Sequence, residues 1–523
     1  DSLDDFESKI EVFKKKNKPA VENTNKEARR VAFDVPDDVD EEVGLSPTSH
    51  GDDDITSKKE AKSKKDEETK NGAEASWWKE KLTKPRLICG SVTITVLIIL
   101  FSSIGATVSN RNRSLPTSQP TVPPSRLMAN WVQVEGDLKG EMPGDEAGFS
   151  ISASENGFTV VVGGRRNGNT SDGTENRGAA QVFRFDAATG FYKSIWIYHG
   201  EAKGDQCGFS VAMSEDGRRI AVGCPGSDTY GKNSGKVRLF MEEEMSNTWV
   251  MVSEFYGEGS GDLFGAAVSL SPEGTWLAVG APYYTRNEVK RSGSAYAYRE
   301  VSESVWQQSG NPMRGVLEES LFGWSVSLSP EGMFLAVGAP EMSDDKSLNG
   351  GFVKVFSSKA ADGSDWQDYG DPISNGVRGD RFGFSVSIAG DETLQRVAIG
   401  APGNSADVEG SGLASVYEDS GNGWSNAGDD LLGESQGENL GYAVSLTPSA
   451  NRLVVGVPKK QMDGEIVGQV QVFNVGDGTL TPAGDKFGLY GEKFGVSVAI
   501  SNNGKRFFGG ATDANLVRVY EDI

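Results

Sequence analysis

Histidine and cysteine are scarce in this chain of 523 residues, which carries only His50 and His199, and Cys89, Cys207 and Cys224. A Ser-His-Asp or Cys-His catalytic site in the folded part would have to be built around His199 alone. A zinc site of His/Cys type lacks ligands. No carboxylate pair stands apart from the repeat pattern described below, so no acid and base for glycoside cleavage can be assigned. The chain is therefore read as a non-enzyme, with no metal and no cofactor. Positive charge is also short: the net charge is −23, and −19 of it falls after residue 108. So acidic a body repels phosphate backbones, which excludes nucleic acid as a partner. Methionine is missing from position 1. Asp1 in its place gives the expectation of a fragment or processed form, and no N-terminal signal peptide is visible.

One run lacks charge altogether. Residues 87–108 are rich in Ile, Leu and Val, and as a helix at ~1.5 Å per residue they would span ~33 Å, enough to cross a bilayer core. Trp77 and Trp78, with Lys79, Lys81, Lys84 and Arg86, form an aromatic and basic flank before the run; Arg111, Arg113 and Arg126 follow it. The bias favours a cytosolic N-terminus and an uncleaved signal-anchor. The rest of the chain would then be extracellular or in a secretory-pathway lumen, where Asn169-Thr170-Ser171 is a glycosylation acceptor. Residues 1–86 are mixed charge blocks without a hydrophobic period, read as a disordered cytosolic tail. Residues 109–130 contain Pro116, Pro120, Pro123 and Pro124 and read as a stiff stalk.

Glycine, by contrast, is abundant at 66 residues, and from 131 to 523 it keeps time. An FG-like dipeptide ends at Gly148, Gly208, Gly265, Gly323, Gly383, Gly441 and Gly495, at intervals of 54 to 60 residues. Each is followed by a second fixed glycine: Gly163, Gly223, Gly280, Gly338, Gly400, Gly456 and Gly509. Between the two lies an alternating strand, a tight turn such as Ser329-Pro330-Glu331-Gly332, and a second strand. A third strand (Phe352–Phe356 in the fourth unit) and a Trp-led fourth complete the pattern. Four short strands per unit and seven units specify an all-β, seven-bladed propeller of four-stranded blades. The seventh unit lacks a fourth strand, and the spare segment Trp131–Val134 is expected to supply it, closing the ring without an open edge.

On these motifs, residues 131–523 resemble the FG-GAP repeats of the integrin α N-terminal propeller, and more closely the variant with turns of the form LSxxGxxLAVGAP. The integrin-type repeats carry an acidic calcium loop between the first two strands. Here the turns (Ser271-Pro272-Glu273-Gly274, for example) are too short and too poor in oxygen ligands to wrap the ion, so structural calcium is not carried over. The resemblance implies a recognition or adhesion module that binds a protein or glycan on its loop face. A polysaccharide- or lipid-processing enzyme and a structural scaffold of the cell surface or wall are the alternatives.

Candidate sites follow from the repeat. Asp145, Asp205, Asp262, Asp380, Glu438 and Glu492 each stand three residues before an FG-like glycine, with Ser320 in the fourth unit. They read either as a carboxylate ring for a cation or as turn-building acceptors, and the repetition favours the second. Arg378-Gly379-Asp380 spells an adhesion tripeptide, but its Gly-Asp belongs to the same repeat position. Cys207 and Cys224 replace the Phe of FG and the Ala of GAP in one unit, so a hairpin sets them side by side; a disulfide is expected in an oxidising lumen, with two buried thiols as the alternative. The loops after each GAP vary most, and the integrin resemblance implies that they line the ligand face; Tyr283, Tyr284, Arg286 and Arg291 form their densest aromatic-basic cluster, which reads either as the ligand contact or as a solvated loop.

Overall fold

The structure, a computed structural model, describes residues 130–523 apart from 169–172, 244–245, 286–287, 342–349, 359–364, 376, 392–393, 420, 422 and 477. The tail, the apolar run 87–108, all but the last residue of the stalk, Asn169 and Arg286 lie outside the described residues. Among the described residues no helix is long and apolar enough to cross a membrane.

Among the described residues seven antiparallel blade sheets follow one another along the chain, with one small extra hairpin, Gln461–Met462 against Glu465–Ile466, in the sixth. The third blade shows the plan: Ala267–Leu270 is innermost, followed outwards by Trp276–Ala281, Ser294–Ser302 and Val305–Gln308. The innermost strands of successive blades touch in turn around the ring, and that of the seventh touches that of the first. The seventh blade holds Val498–Ile500, Arg506–Ala511 and Leu516–Asp522, and its outermost strand is Trp131–Gln133. Trp131 pairs with Asp522, Val132 with Glu521 and Gln133 with Tyr520, so the first segment of the propeller closes the last blade. The Trp131 indole is buried, donates from Nε1 to the Ala483 carbonyl of the sixth blade (3.1 Å) and meets the Phe507 ring edge-on at 4.8 Å.

The core is a series of clusters between blades. Phe322 and Val326 of the fourth blade, for instance, pack with Ala295, Ala297 and Trp276 of the third. The two fixed glycines bring neighbouring backbones together at each junction. A Cβ on the second-strand glycine of one blade would lie 1.9 to 2.1 Å from the carbonyl oxygen of the next blade's FG glycine, at all seven junctions from Gly163 against Gly208 to Gly510 against Gly148. In five blades a serine in, or just before, the inner strand donates to that same carbonyl; Ser325 Oγ reaches Gly383 O at 2.8 Å, and Ser497 Oγ closes the ring on Gly148 O.

The seventh blade corrects the expected register by one residue. Gly510, not Gly509, faces the Gly148 carbonyl, and Gly510 O accepts from Gly495 N as Gly280 O accepts from Gly265 N. A Cβ on Gly509 would instead run into the Phe494 ring. Two adjacent glycines look alike in sequence; the neighbouring blade's carbonyl distinguishes them.

The turns between first and second strands are filled by their own bonds. Gly274 N donates to Ser271 O, and Trp276 N to Ser271 Oγ. On that side arginines opening the second strands reach the next blade: Arg219 bonds Gly274 O and Glu300, and Arg452 bonds Gly504 O and Asp522.

Candidate functional site

The connection into each inner strand is built around the repeated acid. The residue after it takes a left-handed φ in every blade (52 to 58°), although none is glycine: Glu146, Gln206, Leu263, Leu321, Arg381, Asn439 and Lys493. This conformation turns the chain back, and the acid's side chain then accepts backbone N–H groups from its own turn. Asp145 Oδ2 accepts from Met142 N (2.7 Å), Asp262 Oδ2 from Gly259 N (2.8 Å), and Asp205 Oδ2 from Glu201 and Ala202 N. Glu438 accepts from Glu434 N and Glu492 from Leu489 N, both at 2.5 Å. Asp380 receives two side-chain amides instead, Asn375 at 2.5 Å and Asn404 at 2.6 Å. In the fourth blade Ser320 Oγ donates to Ser292 O.

All seven side chains are buried, and none lines the axial channel. That cavity, about 280 Å³, is lined mainly by hydroxyl and apolar groups including Ser152, Ser269, Ser327, Ser387 and Ser445, with Glu215 and Asn502 also in its wall. Three acids face cations: Arg518 grips Glu492 with both terminal nitrogens (2.5 and 2.7 Å), Lys460 Nζ lies 2.9 Å from Glu438 Oε2, and Lys236 Nζ lies 3.6 Å from Asp205 Oδ2. Burial works to raise the Glu492 carboxyl, but the Arg518 bonds and the Leu489 N–H outweigh it and hold it below its ordinary value. Asp145 and Asp380 are raised by burial. The Asp380 carboxylate of Arg378-Gly379-Asp380 has no exposed surface, so a partner cannot reach it.

Asp262 is pushed up to about 6, chiefly by burial and further by Glu258. Its ordinary value is 3.8, so the folded state holds this proton more tightly than the unfolded chain does. Its stabilising contribution is complete below pH about 4 and is lost as the pH rises through about 6. Asp262→Asn keeps an acceptor for Gly259 N–H. It is expected to match the native protein near pH 3.5 and to exceed it by up to about 3 kcal/mol at pH 7.5, as read from urea unfolding at the two pH values.

Cys207 and Cys224 are both fully buried and form a disulfide, their Cα atoms 4.0 Å apart. Closing so short a loop contributes about 3 kcal/mol in the chain-entropy model. His199 Nε2 lies 2.6 Å from Glu141 Oε2, in a half-exposed pair on the first blade.

The loops after GAP share the face that carries the acid turns. In five blades the third residue after the fixed glycine donates its N–H to the acid's own carbonyl, as Tyr283 does to Asp262 and Gly403 to Asp380. The expected tyrosine–arginine cluster divides here. Arg291, ion-paired to Glu319, lies 5.5 Å from the Tyr283 ring centre. Tyr284 is covered by a different cation, Arg314, whose guanidinium carbon stands 3.9 Å over its ring. Arg314 also donates to Glu258 (2.6 Å) and to Tyr296 Oη (3.0 Å), and Tyr296 Oη donates to Glu258 (3.1 Å). A second network lies on the second blade, reached two residues back along the chain from Glu258. Arg238 bonds Glu254 (2.5 Å), Glu201 (2.8 Å) and Tyr198 Oη (2.7 Å); Glu254 accepts from Tyr256 Oη; and Tyr256 meets the exposed Tyr230 ring edge-on at 4.8 Å.

Tyr230, Tyr256, Glu258 and Arg314 escape a reading by sequence proximity because they come from three separate connections. The signal available was composition: six of the chain's 13 tyrosines fall between residues 230 and 298. Among the described residues no group of three or more His, Cys, Asp or Glu side chains is arranged to hold a metal ion.

The family model described as FG-GAP repeat matches residues 257–298 and 373–417. The first match runs from the turn beside Asp262 to the end of the tyrosine cluster. With the seven-bladed architecture, these matches support the FG-GAP propeller family. No curated protein matches the chain.

Proposed function

We propose that this FG-GAP propeller is the recognition head of a single-pass membrane protein, binding a protein or glycan on the loop face over the second and third blades. The anchor in this reading is residues 87–108, with residues 1–86 in the cytosol and the propeller outside or in a secretory-pathway lumen. Three features support the placement: the uncharged run, its basic and aromatic flank at 77–86, and a buried disulfide suited to an oxidising compartment. The likeness to integrin α propellers extends in this reading to the use of the loop face and not to calcium.

The observation that carries the recognition reading is the ridge from Tyr230 to Tyr284. Tyrosines and arginines are the side chains most often found as binding anchors, and here their rings and guanidinium groups are held in place before any ligand arrives. The placement is tested by expressing the full chain in secretory-competent cells and adding protease outside intact cells. Digestion of the propeller with protection of residues 1–86, and a mass loss on N-glycosidase treatment that Asn169→Gln abolishes, are the expected results. Protection of the propeller with digestion of the tail would reverse the topology.

A further inference from the structure

We propose that the ridge takes an uncharged saccharide, with the Tyr230 ring stacked on the apolar face of a sugar and the Glu258–Arg314 pair bonding its hydroxyls. This inference rests on the recognition reading above and narrows its ligand. Charge balance across the ridge is the first argument. Arg238 is paired with Glu201 and Glu254, Arg291 with Glu319, Arg314 with Glu258, and Lys236 with Glu201. An anionic ligand would have to displace a carboxylate already bonded to each of these cations. A cationic ligand would have to displace a guanidinium or ammonium group. In both cases a formed pair is broken to make a similar one, so neither sign of charge is favoured.

What the pairs leave available is hydrogen-bonding capacity. A guanidinium has five N–H groups and a carboxylate about four lone-pair sites, more than the contacts within each pair consume. Donors and acceptors fixed side by side suit vicinal hydroxyls, each of which both donates and accepts. The aromatic component shares their connection: Tyr256 stands two residues before Glu258, and a Cβ on Gly231, next to Tyr230, would lie 2.2 Å from the hydroxyl of Ser260, two residues after Glu258. Tyr230 is 63% exposed, so a ring face is open, and it is backed by Tyr256, which is held in turn by Glu254 and Arg238. A rigid aromatic surface next to planar polar groups matches the two-sided character of a pyranose, apolar C–H on its faces and hydroxyls at its rim.

A protein partner would call for a broader apolar patch around its anchors, and among the described residues of the ridge Tyr230 is the one large hydrophobic side chain that is mostly exposed. Met251, Val301 and Val305, the other exposed large hydrophobic residues of these two blades, lie towards the opposite, hairpin end of the outer strands.

The experiment uses the full chain in detergent. Its probes are uncharged hexasaccharides (β-1,3- and β-1,4-glucan, xylan, mannan and chitin types) alongside a sulfated and a uronate oligosaccharide, titrated by calorimetry. At least one uncharged probe is expected to bind. Tyr230→Ala should weaken it about tenfold or more, on the scale of one lost aromatic contact. Glu258→Gln should weaken it as well. Tyr490→Ala, which removes an equally exposed ring on the loop between the sixth and seventh blades, should leave it unchanged. Raising salt from 50 to 500 mM should alter the affinity less than about threefold, since no net charge is neutralised. Preference for the charged probes with steep salt dependence, binding indifferent to Tyr230→Ala, or no binding of any uncharged probe would overturn the saccharide assignment. If the saccharides fail while adhesion to cell-surface material still depends on Tyr284 and Arg314, only the ligand class falls. If adhesion ignores those residues, the recognition reading falls with it.

Discussion

Gly400→Ala is expected to destabilise the propeller by about 4 kcal/mol or more, or to prevent its accumulation as a folded protein. The backbone at this position is not in the left-handed region, so the effect is one of space. A Cβ there would lie 1.9 Å from the carbonyl oxygen of Gly441 and 2.3 Å from Ser385 Oγ. That carbonyl already accepts the Ser385 hydroxyl, and the next inner strand begins two residues later, so retreat would separate two blades. The same closeness recurs at every junction, and a ring cannot widen at one junction without loosening the others. Gly476→Ala is the control, because nothing lies within 4 Å of a Cβ at that position. It should fall within about 0.5 kcal/mol of the native protein. Urea unfolding followed by tryptophan fluorescence separates the two.

Trp131→Ala should cost about 3–5 kcal/mol, the usual loss for a large aromatic removed from a packed site. The indole fills the junction of the sixth and seventh blades, bonds Ala483 and lies under the Arg452 guanidinium. Deleting residues 130–139 should do more. It removes the strand at Trp131–Gln133 and the two-residue pairing of Leu138–Lys139 with Val517 and Leu516, and exposes the edge of Leu516–Asp522. An unpaired edge of that length invites association between chains. Light scattering of the deletion should report oligomers, while Trp131→Ala should remain monodisperse and melt earlier. A deletion as stable and monodisperse as the native protein would show that the ring does not close through this strand.

The blade count, the closing strand and the acid of each turn are legible in the sequence because each is repeated or conspicuously missing. Asp145, Asp205 and Asp262 occupy one place in one motif, and a motif repeated seven times points first to architecture. Their hydrogen bonds to turn N–H groups are the physical form of that repetition. The register error at Gly509 has the opposite origin. In Arg506-Phe507-Phe508-Gly509-Gly510 the choice between adjacent glycines depends on Gly148, some 360 residues away in sequence.

The ridge was only half legible. Tyr283, Tyr284 and Arg291 are neighbours in the chain and could be grouped by eye. Arg314 stacks on Tyr284 because a short strand, Met313–Arg314, pairs with Ala295 and Ser294, and no local pattern foretells that pairing. Tyr230 and Tyr256 meet because a post-GAP loop folds over the end of the same blade's outer strand. Such contacts depend on tertiary placement, which periodicity does not encode. The turn chemistry was accessible: Ser-Pro-Glu-Gly offers few oxygens, and its serine hydroxyl and carbonyl are taken up by Trp276 and Gly274.

The central claim is that the loop face over the second and third blades is where this protein meets its partner. Beads bearing the full chain in nanodiscs, applied to extracellular material from the producing cells, test it most directly, with adhesion measured as force-resistant attachment. The account predicts attachment that Tyr284→Ala and Arg314→Ala each reduce about tenfold or more. Asn502→Ala and Glu273→Ala, on the opposite face, should leave it intact. Attachment indifferent to the ridge substitutions, lost with the opposite-face pair, or absent from the native chain would contradict it.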